Sequence, residues 1–163
     1  MEASVAMNRN TGHVDGEEAE LAVAAHLVRQ GCRVSHTHGL YKYDLVADKD
    51  DELLRVQVKK ANQNNEKPWK YRLFTEQYQG GQVDIFAGYI VEEDNVFYVA
   101  FDEVGRNNFR VNTKDRAELS DHNASEANLL EDYTFERAFR QYMTNTETEE
   151  QNETSSSDPV EGQ

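Results

Sequence analysis

Two short segments, Tyr43–Asp48 and Leu53–Lys59, alternate apolar and polar residues on either side of the charged run Lys49-Asp50-Asp51-Glu52. A two-residue period belongs to a half-buried strand, and a tight polar linker between two such strands predicts a β-hairpin. In the second strand Leu54, Val56 and Val58 fall on one face, and Arg55, Gln57 and Lys59 on the other. Closing the hairpin brings Asp44 beside Gln57 and Lys59. A carboxylate and an amide oxygen next to an ammonium suit a hard cation and the hydrolysis of a phosphodiester. The backbone carbonyl of Val58 is a further candidate ligand. Taken as pattern alone, the same face also fits an amphipathic strand turned to solvent.

The 163 residues suffice for one domain with its own core. Residues 1–13 show no periodicity and are expected to form a flexible arm ahead of a single domain at 14–144. Asp15 is a candidate N-cap, Glu17 and Glu18 suit a first turn, and 16–30 reads as a helix stopped by Gly31. Leu21, Ala24, Ala25, Leu27 and Val28 are its expected apolar stripe. Strands are expected at 32–37, 42–48, 53–60, 70–75, 83–91 and 96–101, the last two joined as a hairpin through Glu92–Asn95. Residues 102–132 read as polar and mostly irregular, 135–143 as a short closing helix, and 145–163 as a disordered acidic tail. One helix followed by a mixed sheet points to an α+β domain with the helix on one sheet face.

The charge balance constrains partners. Acidic residues number 31 against 17 basic ones, for a formal net charge of −14 and a pI near 4.7. Acidic residues spread along the whole chain, with Lys rarer than Arg and bulky aliphatics sparse, point to a salt-loving archaeon or its virus. Net acidity opposes nucleic-acid binding at low salt. At molar salt the Debye length shrinks to ~3 Å, so local contacts decide. Cys32 is the single cysteine, which excludes an internal disulfide and suits a reducing cytoplasm; it is expected to pack as a small apolar residue. No run of 18 apolar residues marks a membrane span.

Other residues add to the hairpin. Glu20 lies on or beside the helix face turned to the sheet, where an unpaired carboxylate is costly and a bound metal or water relieves the cost. Between 59 and 72, Lys59, Lys60, Lys67, Lys70 and Arg72 stand against Glu66 alone, with Trp69 and Tyr71 interleaved and Asn62–Asn65 ahead. A basic, amide-rich loop after the catalytic strand is where a nuclease would grip a phosphate backbone, although Trp69 also suits a core. Arg106, Arg110, Lys114 and Arg116 form a second basic island. His36 and His38 lack the partners a zinc site needs. Asp84, opening an apolar strand, is expected to be structural.

Gly16-x-x-x-Glu20, Leu27, Gly31, Tyr43-Asp44-Leu45-Val46, Arg55-Val56-Gln57-Val58-Lys59 and Val83-Asp84-Ile85-Phe86-Ala87 together resemble the PD-(D/E)XK nuclease superfamily. The resemblance covers residues 12–101 and is nearest to the small group I intron homing endonucleases, themselves similar to archaeal Holliday junction resolvases. It implies a restriction-endonuclease-like αβββαβ core. It also implies Asp44 and Gln57 as metal ligands, Lys59 as the catalytic lysine and Glu20 as the helical acid, often acting through water. Tyr43 stands where the motif has proline, and Gln57 where it usually has an acid, a change also found in inactive relatives.

The expected function is therefore a Mg²⁺-dependent endonuclease acting on double-stranded or branched DNA, as a homodimer or dimer of dimers. Its catalytic set is Glu20, Asp44, Gln57 and Lys59; its metal ligands are Asp44, Gln57, Val58 and Glu20. Lys60, Lys67, Trp69, Lys70, Arg72 and Arg110 are expected on the nucleic acid. A catalytically inactive nuclease-fold DNA-binding module and an acidic protein that mimics DNA are the alternatives.

Overall fold

A computed structural model describes residues 11–119 and 127–155, with side chains from Asp15 onward. Helix α1 (Thr11–Arg29) leads into β1 (Arg33–His36), β2 (Leu45–Lys49) and β3 (Glu52–Lys60). The short strands β4 (Asn62–Gln63) and β5 (Lys70–Phe74) follow, then β6 (Ile85–Ile90), β7 (Asn95–Ala100), β8 (Asn108–Asn112) and helix α2 (Phe135–Ser155). Five strands form a mixed sheet in the order β1-β2-β3-β6-β7, in which β3 and β6 are parallel and the other neighbours antiparallel. A separate antiparallel sheet has the order β4-β5-β8.

The strands are two-faced, and each face has its own core. Leu54, Val56 and Val58 of β3, with Ile85, Ala87 and Tyr89 of β6, pack under Ala19, Val23 and Leu27 of α1 and Phe135 and Ala138 of α2. Phe86 and Ile90 of β6 point the other way, onto Tyr71, Leu73, Phe109 and Val111 of the smaller sheet. The result is three layers: helices, mixed sheet, small sheet. Gly88 is required between the last two, because a Cβ there would lie 2.3 Å from the Phe97 ring on the neighbouring strand. Tyr98 joins the other two layers: its hydroxyl lies 2.8 Å from His26 Nδ1, and its ring meets Phe135 edge-on at 5.4 Å.

The α+β class, the mixed sheet and the helix on one face are as expected. The β2–β3 hairpin closes through Asp50 and Asp51, at φ 52° and 66°. Two left-handed residues make a turn of the I′ type, whose twist matches the strands, and aspartate tolerates that region better than most side chains. Cys32 is buried and unpaired, and burial pushes its thiol up.

Several expectations need correction. Helix α1 begins at Thr11, so Asp15 is no N-cap; it lies within the helix and pairs with Lys60 at 2.9 Å. The buried stripe is Ala19–Val23–Leu27, whereas Leu21 and Val28 are more than half exposed. The contact positions recur every four residues, one per turn, and Leu21 and Val28 fall off that line. The connection from β3 to β6, where the αβββαβ pattern places a helix, is made by β4 and β5. Residues 108–112, expected to be irregular, form β8 against β5. Helix α2 runs on to Ser155, so residues 145–155 are helical where a disordered tail was expected. Thr144, Thr146 and Thr148 each return a hydroxyl bond to the carbonyl four residues back, and Asn145 reaches Asp102 at 2.5 Å. Of the flexible arm expected at 1–13, residues 11–13 are instead the first turn of α1; residues 1–10 and 156–163 lie outside the described residues. No helix among the described residues is long and apolar enough to cross a membrane.

Candidate active site

The site is built where β2 and β3 pair. The ladder ends at Leu45 opposite Val56, and Asp44 sits one residue further out, its N–H on the Val56 carbonyl at 3.0 Å. Thr37 fixes the approach from β1: its N–H donates to the Asp44 carbonyl at 3.0 Å, and its hydroxyl reaches the carbonyls of Tyr43 and Asp44. That leaves the Asp44 side chain directed at β3.

Asp44 Oδ2 accepts two hydrogen bonds, from Gln57 Nε2 at 2.8 Å and from the Val58 N–H at 3.0 Å. Gln57 Nε2 also donates to the Val58 carbonyl at 3.1 Å. One nitrogen thus lies between a carboxylate oxygen and a carbonyl oxygen, in a side chain only 8% exposed. Burial pushes the Asp44 carboxyl up from its ordinary value, against the downward pull of the Val58 N–H and the Lys59 ammonium. A buried carboxylate whose charge is disfavoured is a site that gains from a cation. Among the described residues, no cluster of three or more His, Cys, Asp or Glu side chains is gathered. Any ion held at this point would have to draw on amide and backbone oxygens as well as on Asp44.

Lys59 follows on the same face of β3, half-buried, with its Nζ 4.9 Å from the centre of the Tyr78 ring. Lys42 reaches the same ring at 5.9 Å, and Phe86 meets its edge at 5.2 Å. Tyr78 and Lys42 belong to this site and were not legible in the sequence: Tyr78 sits alone in a polar loop with no period. Glu20 is half-buried on α1, the helix that covers β3.

The structure unites the two basic islands. Arg72 on β5 stands directly opposite Arg110 on β8 and beside Asn62 on β4, and these line a cleft with Lys70, Gln63 and Asn64. Neither arginine forms an ion pair among the described residues, and like charges in directly opposed positions are destabilising. Phe74, partly exposed, carries the Arg72 guanidinium over its ring at 4.4 Å. Lys67 lies in the turn ahead of β5, its N–H on Asn64 Oδ1 at 2.9 Å. Lys60 is paired with Asp15. Trp69 is half-buried, with Lys114 Nζ 3.6 Å from the ring centre.

Asp84 serves the frame. Its carboxylate accepts from the Arg55 N–H at 2.7 Å and from two guanidinium nitrogens at 3.1 and 3.0 Å. Arg55 also donates to the Gly81 carbonyl. The clamp ties β3 to the start of β6.

The fold resembles that of a bacterial homing endonuclease, I-Ssp6803I, with a TM-score of 0.59 at 20% identity over 84% of this chain and 94% of the other. No curated protein matches the chain in sequence. The sequence profile of the PD-(D/E)XK endonucleases matches residues 10–136, which hold the Asp44 hairpin, Lys59, the parallel β3–β6 pair and both basic islands. With that span matched and the restriction-endonuclease-like sheet in place, the chain belongs to the PD-(D/E)XK endonuclease family.

Proposed function

We propose that this protein is a Mg²⁺-dependent DNA endonuclease of the cytoplasm that hydrolyses phosphodiester bonds. One observation carries the reading: Asp44 Oδ2 and the Val58 carbonyl converge on a single buried point two residues from Lys59. The donor set fits a small hard cation, which takes oxygen ligands and keeps some of its water. Asp44, the Val58 carbonyl, the Gln57 amide oxygen and Glu20 would hold it. When bound, the ion supplies positive charge that offsets the charge developing on the scissile phosphate.

This chain's own residues do the rest. Asp44 keeps its position through the Thr37 and Val58 bonds, so the carboxylate is preorganised rather than recruited. Lys59, propped on Tyr78, presents an ammonium that orients the attacking water and stabilises the extra negative charge at phosphorus. The family resemblance leads us to expect 3′-hydroxyl and 5′-phosphate ends. Arg72 and Arg110 hold the backbone, with Lys60, Lys67, Lys70 and Trp69 around them. Cutting both strands takes two such sites, hence a two-fold homodimer or a dimer of dimers. An intron-homing site and a four-way junction are the two substrates the resemblance suggests.

A second reading has its own support. The Gln57 amide already satisfies Asp44 and Val58 without an ion, which suits a nuclease-fold module that binds DNA and does not cut it.

The deciding assay compares supercoiled plasmid with a synthetic four-way junction in ~2 M KCl, where screening is short-ranged and a halophile's protein is folded. Each substrate is incubated with and without Mg²⁺, alongside Lys59→Ala. Mg²⁺-dependent cutting that disappears in the variant is the expected result. Binding without cutting supports the inactive module. Neither binding nor cutting leaves the DNA mimic.

A further inference from the structure

Bulky aliphatic side chains are sparse in this sequence, and one of them is placed wholly in solvent. Leu40 has a relative exposure of 107%, and its neighbour Tyr41 of 61%. Both belong to the loop 37–43 between β1 and β2, which Gly39 turns with a φ of +98°. A single exposed leucine is ordinary on a protein surface. Its surroundings here are not. From Arg33 through Tyr43 the chain holds no Asp or Glu, although the whole molecule carries a net charge of −14. The flanks instead supply Arg33, His36, His38 and Lys42. An apolar tip on a cationic, imidazole-bearing stem matches a polyanion with an apolar interior.

The loop is bound to the active site at its base. Thr37 hydrogen-bonds the carbonyls of Tyr43 and Asp44, and Lys42 shares the Tyr78 ring with Lys59. Leu40 is four residues from Asp44, so a fully extended chain separates their Cα atoms by at most about 14 Å. That span is roughly four base steps of a DNA strand, at about 3.4 Å each.

We propose that Leu40, backed by Tyr41, is a wedge that enters the base stack of duplex DNA within a few steps of the scissile phosphate. Apolar side chains inserted in this way unstack a base step and kink the duplex. The kink would splay the backbone toward Asp44 and Lys59. This inference rests on the nuclease reading.

The test uses the full chain carrying Lys59→Ala, so that bound DNA stays intact, with plasmid DNA and Mg²⁺ in concentrated KCl. Binding is measured by gel shift, and unstacking by permanganate, which oxidises thymines that have left the stack. Bound plasmid should show about a threefold or greater rise in thymine oxidation, and Leu40→Ala with Tyr41→Ala should abolish that rise while weakening binding less than about tenfold. Leu40→Trp should retain it. Binding without any rise, or a rise that survives the double substitution, overturns the wedge and leaves the nuclease reading intact. A lower oligomeric mass for Leu40→Ala in sedimentation equilibrium also overturns it, by assigning the tip to a contact between copies. Absence of binding at every salt concentration removes the nuclease reading and the wedge together.

Discussion

Gln57 turns the nitrogen of its amide, not the oxygen, toward Asp44, at 2.8 Å from Oδ2. The same nitrogen serves the Val58 carbonyl. Two oxygens suited to a cation are therefore bridged by a hydrogen-bond donor that occupies the place proposed for the cation. A divalent ion at that point requires the amide to rotate and offer its oxygen, which costs two hydrogen bonds before coordination begins.

Gln57→Glu removes that donor and adds a carboxylate. Without metal, two buried acids face one another and the melting temperature should fall. With Mg²⁺ the variant should gain affinity by about tenfold, through the added ligand charge. Thermal unfolding with and without Mg²⁺ reads both effects, and a variant that melts as wild type in either condition removes Gln57 from the site.

Asp44→Asn trades function for stability. Because burial raises the folded carboxyl value, the folded protein holds this proton more tightly than the unfolded chain. The charged form is thus a liability that is absent below the unfolded value of about 3.9, accumulates as pH rises from there to the folded value, and is complete above it. The Asn variant should melt above wild type at neutral pH in chelator, and the gap should close on acidification toward pH ~4. Cleavage should be lost throughout.

Tyr78→Leu should slow cleavage by roughly fivefold, the equivalent of a cation–π contact worth about 1 kcal/mol. Its effect should fall on kcat rather than KM, since Tyr78 positions Lys59 and touches no substrate. Tyr78→Phe keeps the ring and should restore the rate. An equal loss in both variants would instead implicate the hydroxyl.

Arg72→Gln combined with Arg110→Gln should leave the fold intact, because it removes two opposed positive charges. If each arginine holds one phosphate, the slope of log affinity against log salt should fall by about 0.9 per residue. Titration of a fluorescent duplex at several KCl concentrations measures it, and an unchanged slope places the DNA elsewhere.

Asp84→Ala leaves the Arg55 N–H without its acceptor and the guanidinium without its pair. Asp84 is 10% exposed and Arg55 42%, so the loss should be moderate, about 2 kcal/mol by urea unfolding. Asp84→Asn should cost less.

The Asp44 hairpin was legible because alternation and a polar turn are local signals. So was the structural part played by Asp84. The stripe of α1 was not, because Ala19 contributes little hydrophobic contrast while exposed Leu21 and Val28 contribute much. The alternating run Asn108–Asn112 was hidden by the polar residues around it, and its partner β5 lies more than thirty residues away. Without that pairing, Arg72 and Arg110 read as members of separate islands. Tyr78 reaches Lys59 through the fold alone, and no period in the loop 75–84 announces it.

The strand that carries Lys59 ends at Lys60, and β4 begins at Asn62, with the buried Ala61 as the single residue between them. Ala61 donates its N–H to Tyr89 on β6 at 2.8 Å, so the junction is pinned as well as short. The surface proposed to hold DNA and the lysine proposed to help cut it are thus consecutive stretches of one taut segment. Evolution of a new target preference by sliding or lengthening β4 would drag the ammonium with it. Specificity in this scaffold is freer to change at β8 and the 37–43 loop, which reach the site from elsewhere in the chain.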